Sequence, residues 1–234
     1  MTSTEAMLTL PDSPGAISSS TSVRSLSSFS PEGRVSFEPA SQRSMAPLYQ
    51  KHIQPGQQAL PLTAGNKFTL GVRSATSPFS ALGWAIAAGY AQAIDGSPHY
   101  GTNGKAYAQR LGAAAARNVS EGIFSDSIFA PIFHEDPRYY EMGRGNSPFK
   151  RIVYAATRTV ITRKDDGHST PNFSLLAGNA AGAALTNAYY PDKDRSFSQT
   201  AQTFAGAIGG SALGFIVVEF LNDTLQAVHL RKAE

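Results

Sequence analysis

The chain has 234 residues, a formal net charge of +3 and no cysteine. Disulfides and thiolate metal sites are therefore excluded, and a chain of this length accommodates one large domain or two small ones. The charge is small but uneven, because Arg138 to Lys164 holds seven Lys/Arg against one acid, Glu141. Such a basic window faces phospholipid head groups or another polyanion, or else is an ordinary solvated surface.

Between Met1 and Pro47 there are thirteen Ser, four Thr and five Pro, and the large apolar residues follow neither helical nor strand spacing. That composition buries too little surface to offset its ordering entropy, so residues 1–67 are expected to form a disordered Ser/Pro-rich leader. Pro47, Pro55, Gly56, Pro61 and Gly65 interrupt the later part of it. Met1 to Leu10 has no basic residue and no apolar run, so no secretory signal is expected there. The remainder, 68–234, is expected to be one all-α domain of about five helices.

Ser77-Pro78, Ser147-Pro148 and Thr170-Pro171 each pair a capping hydroxyl with a proline suited to the first helical position. The first predicted helix runs from about Pro78 to Ile94 without a charge. The second runs from near Asn103 to Phe133, with Arg110, Arg117 and Glu121 on one stripe. A third, Pro148 to Arg163, places Phe149, Ile152, Val153, Ala156 and Val160 on a core stripe, with Arg151 and Arg158 facing away. On that outward face the two arginines are candidates for an anionic surface. The fourth helix, Pro171 to Tyr189, is uncharged, and the fifth, Ser196 to Leu230, is apolar from Phe204 to Leu221 apart from Glu219 and small polar positions. No strand pattern competes.

Gly206, Gly210 and Gly214 recur every fourth residue in the fifth helix, as Gly178 and Gly182 do in the fourth. Residues four apart share a face, so these positions are expected to form helix-packing seams, with each other or with a partner. Glycine in a helix interior costs about 1 kcal/mol relative to alanine, so the repetition needs a packing reason. Membrane association follows from the same pattern, although the uncharged stretches are shorter than the ~20 residues of a comfortable span. Glu219 is costly at membrane depth unless it is paired.

The polar residues gather in the inter-helix loops. His134, Glu135 and Asp136, together with Asp165, Asp166 and His168, are imidazole and carboxylate candidates for a divalent metal if the loops converge. None of them has the helical i, i+4 spacing of a metal motif. Otherwise they are helix caps and loop ion pairs. Phosphate loops, dinucleotide fingerprints and serine-nucleophile motifs are absent, no cofactor is expected, and the basic helix lacks the interleaved aromatics of a nucleic-acid binder.

The strings Glu135-Asp136-Pro137-Arg138-Tyr139-Tyr140, Thr162-Arg163-Lys164-Asp165-Asp166-Gly167 and Asn187-Ala188-Tyr189-Tyr190-Pro191 resemble a family of uncharacterised helical proteins from soil bacteria. Tyr100-Gly101 and Gly104 to Arg110 fit the same pattern, which covers about Phe68 to Leu221. The resemblance implies export behind a Pro/Ser-rich leader and carries no assigned activity. The function expected from the sequence is a non-enzymatic, envelope-associated protein that packs against membrane or another helical protein, with self-association a further option. The alternative is a metal-dependent enzyme built on the loop residues.

Overall fold

The computed structural model describes residues 44–228. Most of the expected leader, 1–43, and residues 229–234, which include the last two of the expected fifth helix, lie outside the described residues. The helices are α1 (Ala64–Ala75), α2 (Pro78–Ala93), α3 (Gly104–Gly122), α4 (Ala130–Phe133), α5 (Pro148–Thr157), α6 (Phe173–Leu185) and α7 (Phe197–Ala227). A π-helical segment, Ile123–Phe129, joins α3 to α4 without a break. Contacts run in series from α2 to α3, from α3 and the π segment to α6, from α6 to α7, and from α7 to α5; α1 lies on α3 and the π segment.

Short strands trim this bundle. β1 (His52–Ile53) pairs in parallel with β3 (Tyr139–Tyr140). β2 (Glu135–Asp136), β4 (Ile161–Lys164) and β5 (Ser169–Pro171) form an antiparallel sheet in that order of β2, β4, β5. The hairpin between β4 and β5 turns through Gly167, whose φ of +88° is the left-handed conformation that glycine adopts without steric cost.

The proposed caps hold at two of three places. Ser77 accepts from Ser80 N and Ser147 from Lys150 N. Thr170 and Pro171 instead belong to β5, and Asn172 caps α6 by accepting from Leu175 N. The third predicted helix stops at Thr157, because the β-branched run Thr159, Val160, Ile161 and Thr162 leads into β4. Order also begins before residue 68. α1 starts on Thr63, whose side chain accepts from Asn66 N, and Met45 bridges to Gln58. The prolines and glycines of that region shape turns around a helix; they do not abolish it.

Two of the five seam glycines pack within the chain. A Cβ on Gly178 would lie 2.5 Å from the backbone N of Ser125, and one on Gly182 would lie 2.3 Å from Glu121 Cγ. Thus α6 presses its glycine face against α3 and the π segment. Gly206, Gly210 and Gly214 form no seam within the described residues, since none of these lies within 4 Å of a Cβ at any of the three. Their face of α7 is turned away from α6 and α5.

Gly178→Ala must displace backbone atoms and should destabilise by about 1–3 kcal/mol, the usual overpacking range. Gly210→Ala meets open space and should be neutral or stabilising by up to about 1 kcal/mol. Thermal unfolding of the two variants side by side checks the contrast; equal losses would mean that α7 is packed as tightly as α6.

Candidate functional site

The interior of the described unit is held by charge. Glu219 sits in the apolar stretch of α7 and is 1% exposed. Its carboxylate accepts from Tyr139 Oη at 2.6 Å, the amides of Met142 and Gly143 at 3.0 Å, and Arg151 Nε at 2.9 Å. Arg151 also donates through Nη1 to Asp223 at 2.7 Å and lies over the Phe220 ring. Arg144 donates to the other oxygen of Asp223 at 2.7 Å. The Tyr139 ring stacks on Phe215, and burial, then the Glu219 hydrogen bond, push its hydroxyl well above the usual phenol range.

This network corrects the reading of α5. Arg151 is 4% exposed, whereas Phe149 is 75% exposed and Ile152, Val153 and Val160 are exposed too. The helix is turned with its charged side inward because its counter-charges, Glu219 and Asp223, lie on α7. Arg158 is not on a solvated face either: its guanidinium stacks over Tyr154 and its Nε is buried.

The metal candidates do converge, but as a structural scaffold. β2 and β4 place Glu135 opposite Lys164 and Asp136 opposite Arg163, and Asp165 N donates to His134 O. Glu135 then accepts from the amides of Phe173 and Ser174 at the start of α6, where a negative charge also suits the helix dipole. Asp136 takes a two-point contact from Arg138 and a 2.7 Å hydrogen bond from Tyr140. Asp165 binds the buried Lys67 at 2.7 Å, and Asp166 pairs with His168 at the exposed hairpin. Among the described residues no group of three such side chains can hold a metal ion.

Other buried charges follow the same rule of local use. Arg110 donates to the carbonyls of Gly96, Pro98 and Gly101 and to Asp95, knitting the turn between α2 and α3. Asp194 accepts from the Ser97 hydroxyl, the His99 amide and the His99 ring. Within the basic window 138–164, Arg138 finds its acid two residues away in Asp136, whereas Arg144 and Arg151 meet theirs on α7.

The outside is the converse of the inside. Among the described residues, ten of sixteen buried apolar residues are alanine, while twenty-three large apolar side chains are exposed. On α2 these include Phe79, Leu82, Ile86 and Tyr90, one helical stripe, and only Ala88 of that helix is buried. On α7, Leu213 and Val217 are exposed. This helix is long and apolar enough to cross a membrane, and only 17% of its most apolar 18-residue window is buried inside the chain. An open groove of about 440 Å³ separates Gly214 and Phe215 of α7 from Leu70 of α1 and Phe79 of α2.

No family model, curated protein or solved structure matches the chain.

Removing the Glu219 charge leaves the buried Arg151 with only the carboxylate of Asp223, which it shares with Arg144. Glu219→Gln should therefore cost about 3–5 kcal/mol, as broken buried pairs do. Chemical denaturation checks this; a loss below 1 kcal/mol would mean that water reaches the pair. A second test uses pH. Burial raises the Asp136 carboxyl, but the Arg138 and Tyr140 hydrogen bonds and the Arg138 charge outweigh it and hold its pKa below the ordinary value. Asp194 is likewise lowered, by His99 and Ser97 against burial. A pKa depressed by folding contributes stability above the unfolded value and loses it as pH falls through the folded one. The melting temperature should thus hold from pH 7 to about 5 and decline below about 4, less steeply in Asp136→Asn.

Proposed function

We propose that the helical unit is a non-enzymatic membrane protein of the cell envelope, inserted through α7 with the apolar stripe of α2 also in contact with lipid. The observation that carries the reading is the inverted polarity: most buried charged groups among the described residues are paired inside, while large apolar side chains face outward. In water so many exposed apolar groups would be a liability, because extended apolar patches mark surfaces that bind membrane or protein. In hydrocarbon they cost nothing. The 18 most apolar residues of α7 rise about 27 Å, close to the ~30 Å of a bilayer core.

Glu219 fits this setting because charged groups at membrane depth face the bundle interior and pair there. A non-catalytic role is supported by the buried carboxylates. Glu135, Asp136, Asp194 and Glu219 each accept two or more hydrogen bonds. Within the bilayer, the uncovered strip of Gly206 and Gly210 is where another helix, including that of a second copy, would approach.

The full chain should pellet with membranes, stay there through alkaline carbonate, and be released by detergent. Because the protein has no cysteine, single cysteines report their surroundings directly. Leu213→Cys and Ile86→Cys should resist aqueous maleimide in intact membranes and react after solubilisation, while Asp166→Cys at the hairpin reacts in accessible preparations of both. Carbonate release of the whole chain, or a freely reactive Cys at 213, would defeat the proposal.

A further inference from the structure

A small cavity lies where β3, α5, β4 and the start of α6 meet, with a volume of about 50 Å³. At about 10–15 Å³ of such volume per water, it has room for about three to five oxygen atoms. Its lining carries four cationic side chains, Lys51, Arg138, Arg158 and Arg163, and two carboxylates, Asp126 and Asp136. The carboxylates are committed: Asp126 pairs with Lys51, and Asp136 with Arg138. Arg158 and Arg163 have no ion pair among the described residues and instead stack on Tyr154 and Tyr140. The lining is therefore two positive charges in excess.

The hydrogen bonds make the same distinction. The hydroxyls around the cavity already donate elsewhere: Tyr139 to Glu219, Tyr140 to Asp136, Tyr154 to Tyr140 O, and Ser174 to Asn172. The amides at the start of α6 are taken by Glu135 and Asn172. Arg158 Nε, by contrast, is buried and has no protein acceptor. A buried cationic donor without an acceptor is costly, and in native proteins it is met by water or an ion. Excess positive charge in a confined space of this size selects an anion with several oxygens.

We propose that this cavity is a binding site for one tetrahedral oxyanion of the phosphate class, with Arg158 as the buried donor and Arg163 as the second cation at its rim. The anion offsets the surplus charge and supplies a counter-charge for the Arg158 guanidinium, which lines the cavity without an ion pair among the described residues. Stacking on Tyr154 and Tyr140 holds both guanidinium planes in place. The site lies within the chain and does not depend on whether the outer faces meet lipid. The phosphate can be free inorganic phosphate or the headgroup of a phosphomonoester lipid; the chemistry recognised is shared.

The test is equilibrium dialysis of the full chain, in the detergent that keeps it monodisperse, against radiolabelled inorganic phosphate. One phosphate should bind per chain, displaced by sulfate and not by chloride at equal ionic strength. Arg158→Gln should weaken binding by about tenfold or more, the usual worth of a charge-assisted hydrogen bond. Arg163→Gln alters an exposed side chain and should fold normally, with binding weakened by about two- to fivefold. It keeps the proposal falsifiable if Arg158→Gln does not fold. In a parallel arm, micelles containing phosphatidic acid replace inorganic phosphate. Binding in that arm alone, with the same dependence on Arg163, assigns the site to a lipid headgroup. No saturable binding in either arm, or binding unchanged by Arg163→Gln, overturns the proposal.

Discussion

The structure depends most on the carboxylate of Glu219. Four donors converge on it from two directions, Arg151 on α5 and Tyr139, Met142 and Gly143 on the segment leading to that helix. One anion thereby fixes the orientation of α5, the position of β3 and the depth at which α7 sits. The apolar cluster around it is small, comprising Tyr139, Ala155 and Val218 with Tyr154, Phe215 and Ile216 beside them. Hydrophobic packing of that extent does not by itself specify which face of α5 turns inward. The ion pair does, because a buried carboxylate without partners is far more costly than an exposed phenylalanine.

The same balance governs the other side of the bundle, where α6 approaches α3 and the π segment through Gly178 and Gly182. With no side chain at these positions, backbone meets backbone, and small polar groups such as Ser125 and Asn179 are enclosed without an apolar filler. A unit built in this way keeps its large apolar residues free for the outside. Polar interior and apolar exterior are thus two results of one packing choice, and they agree with the bilayer setting proposed for α2 and α7. The interior charges are balanced locally almost everywhere, and the cavity beside Arg158 is the place where the protein's own carboxylates leave a positive excess.

How much of this was legible beforehand differs from element to element. Helices α2, α3, α6 and α7 were readable because capping and propensity are local: Ser77, Asn103 and Ser196 each bond an amide three residues on. Metal binding required the loops around Glu135–Asp136 and Asp165–Asp166 to converge, a condition no local pattern could decide; they do meet, and their carboxylates serve α6, Arg138 and Lys67. Helix α1 was missed because its signal is a lone Thr63 amid turn-forming residues. Amphipathic periodicity failed for α5, where it rests on the assumption that the apolar side is the inner one.

The sequence by itself determined where most helices begin, that no thiol chemistry is available, and that basic charge is concentrated from Arg138 to Lys164. Only the tertiary structure decided which acids that charge meets, which glycines are pressed and which are free, and that Arg158 is left with a buried, unanswered donor. The physical reason is range. Caps and propensities act within a turn or two of the chain, whereas Arg151 meets Glu219 across 68 positions and Gly178 meets Ser125 across the bundle. Pairings of that separation are chosen by the cost of leaving charge unpaired in the assembled interior, which no local pattern records.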